Sequence, residues 1–217
     1  MNEKQKRLYS EVKMEIKQEL SQMKPNLNPL AQLIRLRQVT GNPKMFLKEG
    51  EQINNPKFDR AEELIENAIA NSDKVVLFSN WTSITDEAMI RFSKYNPAII
   101  TGEVQDRQEQ VNKFMNDDSC KLIIGTIGAM GTGLTLTAAS TVIFLDSPWA
   151  RAYKEQAEDR CHRIGQTKSV NYYTIVCKDT IDENIEKIIY KKGLISDCIV
   201  DDTMDVKSME LALQLLD

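Results

Sequence analysis

Residues 121–149, KLIIGTIGAMGTGLTLTAASTVIFLDSPW, decide the fold. Two apolar runs, at 122–124 and 142–145, flank a loop rich in Gly and Thr, and neither alternates with polar residues. Unbroken runs of this kind belong to strands covered on both faces. Upstream lie two more, VVLF at 75–78 and AII at 98–100. The pattern predicts strands at 74–78, 98–101, 121–125, 141–145 and 170–176, with amphipathic helices near 83–95, 105–116, 150–162 and 180–192. Helices interposed between short buried strands are crossovers, so the fold class is α/β, with a mainly parallel sheet flanked by helices. Ligands of such sheets sit beyond the strand carboxyl ends, where Ser79, Thr101–Gly102, Thr126, Asp146 and Trp149 fall.

Working outward, a helix from Pro56 to Ala70 carries Phe58, Ala61, Leu64, Ile65, Ala68 and Ile69 at helical spacing. Residues 48–56 before it are polar and turn-rich and read as a surface loop. Residues 3–20 place Leu8, Val12, Ile16 and Leu20 four apart on one stripe. MKPNLNP breaks that helix, and Asn28 with Pro29 starts another that runs to about Thr40. On it Leu33, Ile34 and Leu36 form the expected buried face, with Arg35 and Arg37 pointing elsewhere. The division expected is a helical lead-in at 1–50, the α/β lobe at 51–192 and an acidic tail at 193–217. That tail ends in a short helix with Met209, Leu211, Leu213, Leu215 and Leu216.

A chain of 217 residues buries enough surface for one real core. Hydrophobic content of 41% and charged content of 28% are near globular averages, which argues against disorder. No apolar stretch approaches the roughly 20 residues of a membrane span, and no charged-then-apolar leader opens the sequence. Cys120, Cys161, Cys177 and Cys198 are widely spaced without a CxxC pair, and His162 is the single histidine. That composition disfavours a zinc site and a His-based nucleophilic triad, and fits reduced thiols in a reducing, intracellular compartment, cytoplasmic or nuclear according to the source. Net charge is -4, yet residues 1–50 carry ten Lys/Arg against five acids and 193–217 one against six. A local track for phosphates is compatible with that asymmetry, as is an ordinary solvated helix surface.

The stretch that carries chemistry is 149–166, WARAYKEQAEDRCHRIGQ. Helical spacing places Gln156, Asp159, Arg160 and Arg163 on one neighbouring surface. Two arginines with a carboxylate beside them suit an anionic oxygen cluster, because the guanidinium is a fixed fork of donors that matches phosphate. A salt-bridged helix face is the competing reading of the same residues.

QAEDRCHRIGQ resembles the last motif of the Swi/Snf-like branch of superfamily-two helicases, the double-stranded-DNA translocases. GAMGTGLTLTAASTVIFLDSPW is similar to the preceding motif, KVVLFSNWTSITD to the one that opens the second motor lobe, and LIRLRQVTGNP to the helix before it. Downstream, SVNYYTIVCKDTIDENI resembles the strand and helix that close the lobe, so the likeness spans about residues 4–192 in the family's order. LTLTAAS with QAEDR and SVN leans towards the annealing-helicase-like branch. Where the family has two adjacent glycines this chain has Met130–Gly131.

The resemblance implies a RecA-like lobe with a helical protrusion at its start. It also implies half of an ATPase. A motor needs GxxxxGK[ST] to cradle phosphates, and the nearest approach, Gly128 to Gly133, is followed by Leu134 where lysine would be. Asp86–Glu87 is no metal-binding acid pair, since both lie in an amphipathic helix whose Ile84, Ala88 and Phe92 face inward; they read as first-turn acids. GAMGTG also fails the dinucleotide spacing GxGxxG. ATP with Mg would then be shared with an N-terminal RecA-like lobe, on the same polypeptide or a separate subunit, that holds the phosphate loop and metal ligands.

By resemblance Arg160 and Arg163 are the catalytic arginine fingers, inert without that partner lobe. Gln156 and Asp159 orient them, and Gly131, Thr132 and Gly133 let the backbone approach phosphate or ribose. Ser79, Thr101, Gly102, Arg107, Thr126 and Trp149 are the candidates for contacts to the DNA backbone. Each admits a structural role too: Trp149 as core, Arg107 as a helix surface residue, Ser79 and Thr126 as strand-end caps. Two other functions remain open from the residues, a non-catalytic DNA- or protein-binding regulatory module and an unrelated α/β enzyme using the Gly-rich loop.

Overall fold

The computed structural model describes residues 1–21, 29–48, 51–130, 133–148 and 151–192. In chain order its elements are α1 (Glu3–Ser21), α2 (Pro29–Gly41), α3 (Pro56–Ala70), β1 (Lys74–Ser79), α4 (Thr82–Arg91), β2 (Ala98–Ile100) and α5 (Arg107–Asn116). There follow β3 (Leu122–Thr126), a single turn α6 (Ile127–Met130), β4 (Ala139–Phe144), α7 (Arg151–Glu158), β5 (Asn171–Thr174) and α8 (Ile181–Lys192). Two compact units form, one from Lys57 to Val176 and one from Met1–Pro56 with the chain from Cys177. The second draws α8 to the N-terminal helices, where the sequence reading had placed residues up to 192 with the sheet. The C-terminal helix expected at 209–216 lies outside the described residues.

The α/β unit holds five parallel strands in the order β2-β3-β1-β4-β5. Side chains alternate between faces along each strand. Val76, Phe78, Ile123, Val142 and Phe144 pack on one face with Val111 and Phe114 of α5, Met130 of α6 and Ala157 of α7. Val75, Leu77, Leu122, Ile124, Ile143 and Leu145 pack on the other with Phe58, Ala61, Leu64 and Ile65 of α3 and Ile84 and Ala88 of α4. Both faces of β1 to β4 are therefore covered, which is why those strands are apolar without alternation, whereas the edge strand β5, NYYT, is largely exposed. Phe78 and Phe144 stack at 5.2 Å between centroids across the β1–β4 pair.

Connections moving from β1 towards β2 use the α4 face, and those moving the other way use the face of α5, α6 and α7. A single crossover handedness requires that division. β1 and β4 are neighbours whose outgoing connections leave in opposite directions, so the crevice beyond their carboxyl ends is the topological switch point.

In the helical unit the buried stripe of α1 is Gln5, Tyr9, Val12, Ile16 and Leu20. Leu8 is only half-buried, one step off the stripe. Tyr9 Oη accepts from the Ile181 backbone N–H at 2.8 Å, and burial pushes its phenol up to about 12. Asp182, at the start of α8, accepts from the Thr40 hydroxyl at 2.8 Å and the Cys177 N–H at 3.1 Å.

Two expectations need correcting. Arg37 does not point away: it is 1% exposed, because it follows Leu33 by four and precedes Thr40 by three, on the face that buries both. Arg35 does face outward, half-exposed, to Glu15 at 3.2 Å. Asp86 and Glu87 lie past the first turn of α4, which starts at Thr82, so they do not face the positive end of its dipole.

Candidate functional site

Two places in the α/β unit bring the singled-out residues together, at opposite ends of β4. At the carboxyl end, the register pairs Ile100 with Gly125 and Ser79 with Thr126, so Thr101, Thr126 and Ser79 stand in a row on adjacent strands. Neighbouring strands are about 4.8 Å apart, which makes the row roughly 10 Å long. Arg107, at the start of α5, reaches the same edge, with Nη1 at 3.5 Å from the Ala129 carbonyl oxygen.

That row is not uniformly available to a ligand. Ser79 is 1% exposed, and its hydroxyl donates to Asp146 Oδ2 at 2.6 Å. Thr101 is also buried, whereas Gly102 is exposed and Thr126 and Arg107 are half-buried. Trp149 lies outside the described residues.

Beyond β1 and β4 the switch point is closed by a polar knot. Asp146, 2% exposed, accepts from Ser79, from the Asn80 N–H at 3.0 Å and from the Asn80 side-chain amide. The same amide donates to the Ser147 carbonyl at 2.9 Å, and the Trp81 N–H donates to Ser79 Oγ at 3.2 Å. Beside them Lys57 Nζ donates to the Leu145 carbonyl at 3.1 Å. A buried carboxylate is tolerated only with such saturation of its lone pairs. Sequence reading picked out Asp146 by its place at a strand end but had no signal for Asn80 or Lys57 as its surroundings.

Gly125 was also missed. A Cβ there would run into Met130 Sδ and the Ile100 carbonyl oxygen, so only glycine lets β3 carry α6 folded back against it. Gly133, at the far side of the Gly-rich loop, is exposed with φ +72, which favours glycine over any side-chain-bearing residue. Gly131 and Thr132 lie outside the described residues.

At the amino end of β4 sits the arginine turn. α7 stops at Glu158 instead of continuing to 162, and shorter bonds take over, from Arg160 N to Ala157 O at 3.2 Å and from Cys161 N to Glu158 O at 3.1 Å. The Arg160 carbonyl accepts from the Leu136 N–H at 2.9 Å, which ties this turn to the segment after the Gly-rich loop. The shared helical face expected for Gln156, Asp159, Arg160 and Arg163 therefore does not form. Gln156, Asp159 and Arg163 are exposed, but Arg160 is 7% exposed, its Nε donating to the Gln156 carbonyl at 3.1 Å.

Arg163 reaches the segment that follows the Gly-rich loop, with Nη1 at 3.2 Å from Thr135 Oγ1 and 3.4 Å from the Leu134 carbonyl. Cys161, buried beneath the turn, has its thiol pushed up to about 12 by burial. Burial likewise raises the Glu158 carboxyl, helped by Glu155 and Asp159 against Lys154 and Arg151. Among the described residues no cluster of three or more His, Cys, Asp or Glu side chains could hold a metal, and no helix is long and apolar enough to cross a membrane.

A five-stranded parallel sheet covered on both faces, with a Gly-rich loop and an arginine-bearing turn meeting at one strand end, defines a RecA-like lobe. The helicase conserved C-terminal domain family matches residues 56–165, and the chain belongs to that family. It is the C-terminal lobe of a Swi/Snf-like superfamily-two helicase. Over 216 residues it is 32% identical to an uncharacterized ATP-dependent helicase of Mycoplasma pneumoniae, covering 96% of this chain and 21% of that protein. To the ATP-dependent DNA helicase DDM1 of Arabidopsis thaliana it is 38% identical over 141 residues, 63% of this chain and 18% of the relative. The Sulfolobus solfataricus SWI2/SNF2 ATPase core, solved in complex with double-stranded DNA, superposes with a TM-score of 0.77 at 25% identity, over 98% of this chain and 48% of that one. The chain thus spans about a fifth of the length of these curated relatives.

Proposed function

We propose that this chain is the second motor lobe of an ATP-dependent double-stranded-DNA translocase, and that it turns over ATP only when a first lobe supplies the phosphate loop and the Mg ligands. The observation that carries the reading is the exposed Arg163 guanidinium, held by Thr135 and Leu134 immediately after the Gly-rich loop. A fixed, unburied cation next to backbone of positive φ suits charge that develops on a transferring phosphoryl group. Arg163 is the primary finger. Arg160, packed under the turn, joins it only if lobe closure draws its guanidinium out. Gln156 and Asp159, both exposed, are the candidates to sense the bound nucleotide.

DNA runs along the carboxyl edge, where the Gly102 backbone, Thr126 and Arg107 remain accessible for sequence-independent contacts. Ser79 and Thr101, being buried, shape that edge without touching DNA. The relatives named as ATP-dependent helicases, and the SWI2/SNF2 core solved with double-stranded DNA, support this assignment.

The test is ATP hydrolysis with double-stranded DNA, by this chain alone and mixed with or joined to a lobe bearing a phosphate loop. Turnover by the chain alone overturns the half-motor reading. Turnover that appears only in the combination, and is abolished by Arg163→Ala, supports it. A combination that binds DNA yet never hydrolyses ATP points instead to a non-catalytic regulatory module. DNA binding by this lobe alone should weaken steeply with salt.

A further inference from the structure

Gln166, the last residue of the arginine motif, carries more structure than any role given to it above. Its Nε2 donates to the Ala139 carbonyl at 2.7 Å and to the Thr137 and Cys161 carbonyls, each at 3.2 Å. Its Oε1 accepts from the Lys168 N–H at 2.9 Å, and its own N–H donates to the Arg163 carbonyl at 2.9 Å. Two amide protons serving three carbonyls means one is shared, and the Lys168 N–H on the opposite side fixes which end of the amide is oxygen.

These bonds join three pieces of chain. Thr137 and Ala139 lead into β4, Cys161 and Arg163 bracket the arginine turn, and Lys168 precedes β5. The turn is also tied by the Arg160–Leu136 backbone bond, by the buried Cys161 and by the long contacts of Arg163 itself. Ile164, beside Arg163, is fully exposed, so apolar packing does not hold the tip.

We propose that Gln166 is the positioning residue of the arginine turn, its side-chain amide pinning the turn to the start of β4 so that Arg163 is preorganised for the developing charge. This rests on the reading of Arg163 as the finger. Misplacing a catalytic group by about an ångström costs up to roughly 10²-fold in rate, which sets the scale of the effect.

The experiment compares Gln166→Ala, Gln166→Glu and Arg163→Ala in this chain combined with the phosphate-loop lobe, reading kcat and KM for ATP. Trypsin cleavage after Arg163 and amide exchange of residues 161–166 are followed in parallel. Glu keeps the volume and the acceptor for Lys168 but has no protons for the three carbonyls, so it should behave like Ala. Both should lower kcat by about 10- to 100-fold at nearly unchanged KM and thermal midpoint, and speed cleavage and exchange. A Gln166→Glu protein with normal kcat overturns the proposal, whatever Gln166→Ala does to folding. Faster cleavage with normal kcat overturns it too, because a loosened turn that still turns over needs no pin. If Arg163→Ala is itself silent, it is the finger assignment that has failed.

Discussion

At the carboxyl end of β4, Asp146 is 2% exposed and saturated by the Ser79 hydroxyl and the Asn80 backbone and side-chain amides. At the amino end of the same strand, Arg163 stands in solvent on contacts of 3.2 and 3.4 Å. The first charge is locked because an unpaired buried carboxylate would cost several kcal/mol. The second can afford looseness, since water solvates it until a ligand arrives. On the proposed reading of Arg163, stability and reactivity are separated along one strand of 6 residues. A substitution at one end should move one property and spare the other.

The sharpest way to break that separation is Arg163→Ala. In the two-lobe assembly it should cost about 10³-fold in kcat, with a thermal midpoint unchanged by differential scanning fluorimetry; a drop in midpoint would show that the turn is structural after all. Asp146→Ala should do the opposite in the isolated chain. It strands the Ser79 and Asn80 donors and should lower unfolding free energy by about 3 kcal/mol in urea titrations. A loss below about 1 kcal/mol would mean that water replaces the carboxylate easily and the knot is dispensable.

Gly125→Ala probes the link between strand and loop. The added methyl meets Met130 and the β2 backbone, so a cost of about 1 to 3 kcal/mol is expected by the same titration. Adding Met130→Ala should recover part of it by making room.

The smallest effect belongs to the surface pair Lys168–Asp73 at 2.6 Å, also at the amino end. Burial pushes the Asp73 carboxyl up, but the hydrogen bond and the charge of the Lys168 ammonium outweigh it and hold it below the usual range. A depressed carboxyl stabilises the fold above its unfolded value and loses that contribution as pH falls through the folded one. Lys168→Met should therefore cost under about 1 kcal/mol at neutral pH, with the gap to wild type closing below about pH 4 and narrowing in salt. A gap that persists at pH 2 would assign the effect to contacts other than the ion pair, the bond from Lys168 Nζ to the Ser72 carbonyl among them.

β1 to β4 were legible because burial on both faces leaves unbroken apolar runs, whereas β5, NYYT, is a largely exposed edge strand without such a run; the expected positions of all five differ from the observed ones by a few residues at most. Helix ends were less so. α7 ends at Glu158, and just beyond it the Arg160 carbonyl is bonded by Leu136, some two dozen residues earlier, a partner that nothing within 150–162 announces. Arg37 misled for a related reason, since a charged residue on the inner stripe was assigned by chemistry when its spacing from Leu33 already placed it inside.

The sequence by itself determined the α/β class, the motif order and the identity of the arginines, because local periodicity and residue type are properties of the chain. Only the tertiary structure decided which of those groups face water. Ser79 and Arg160 are buried, Arg163 is not, and the Gln166 side-chain amide bonds to the Thr137, Ala139 and Cys161 carbonyls. Such outcomes depend on hydrogen bonds between segments far apart in sequence, and no local pattern encodes them.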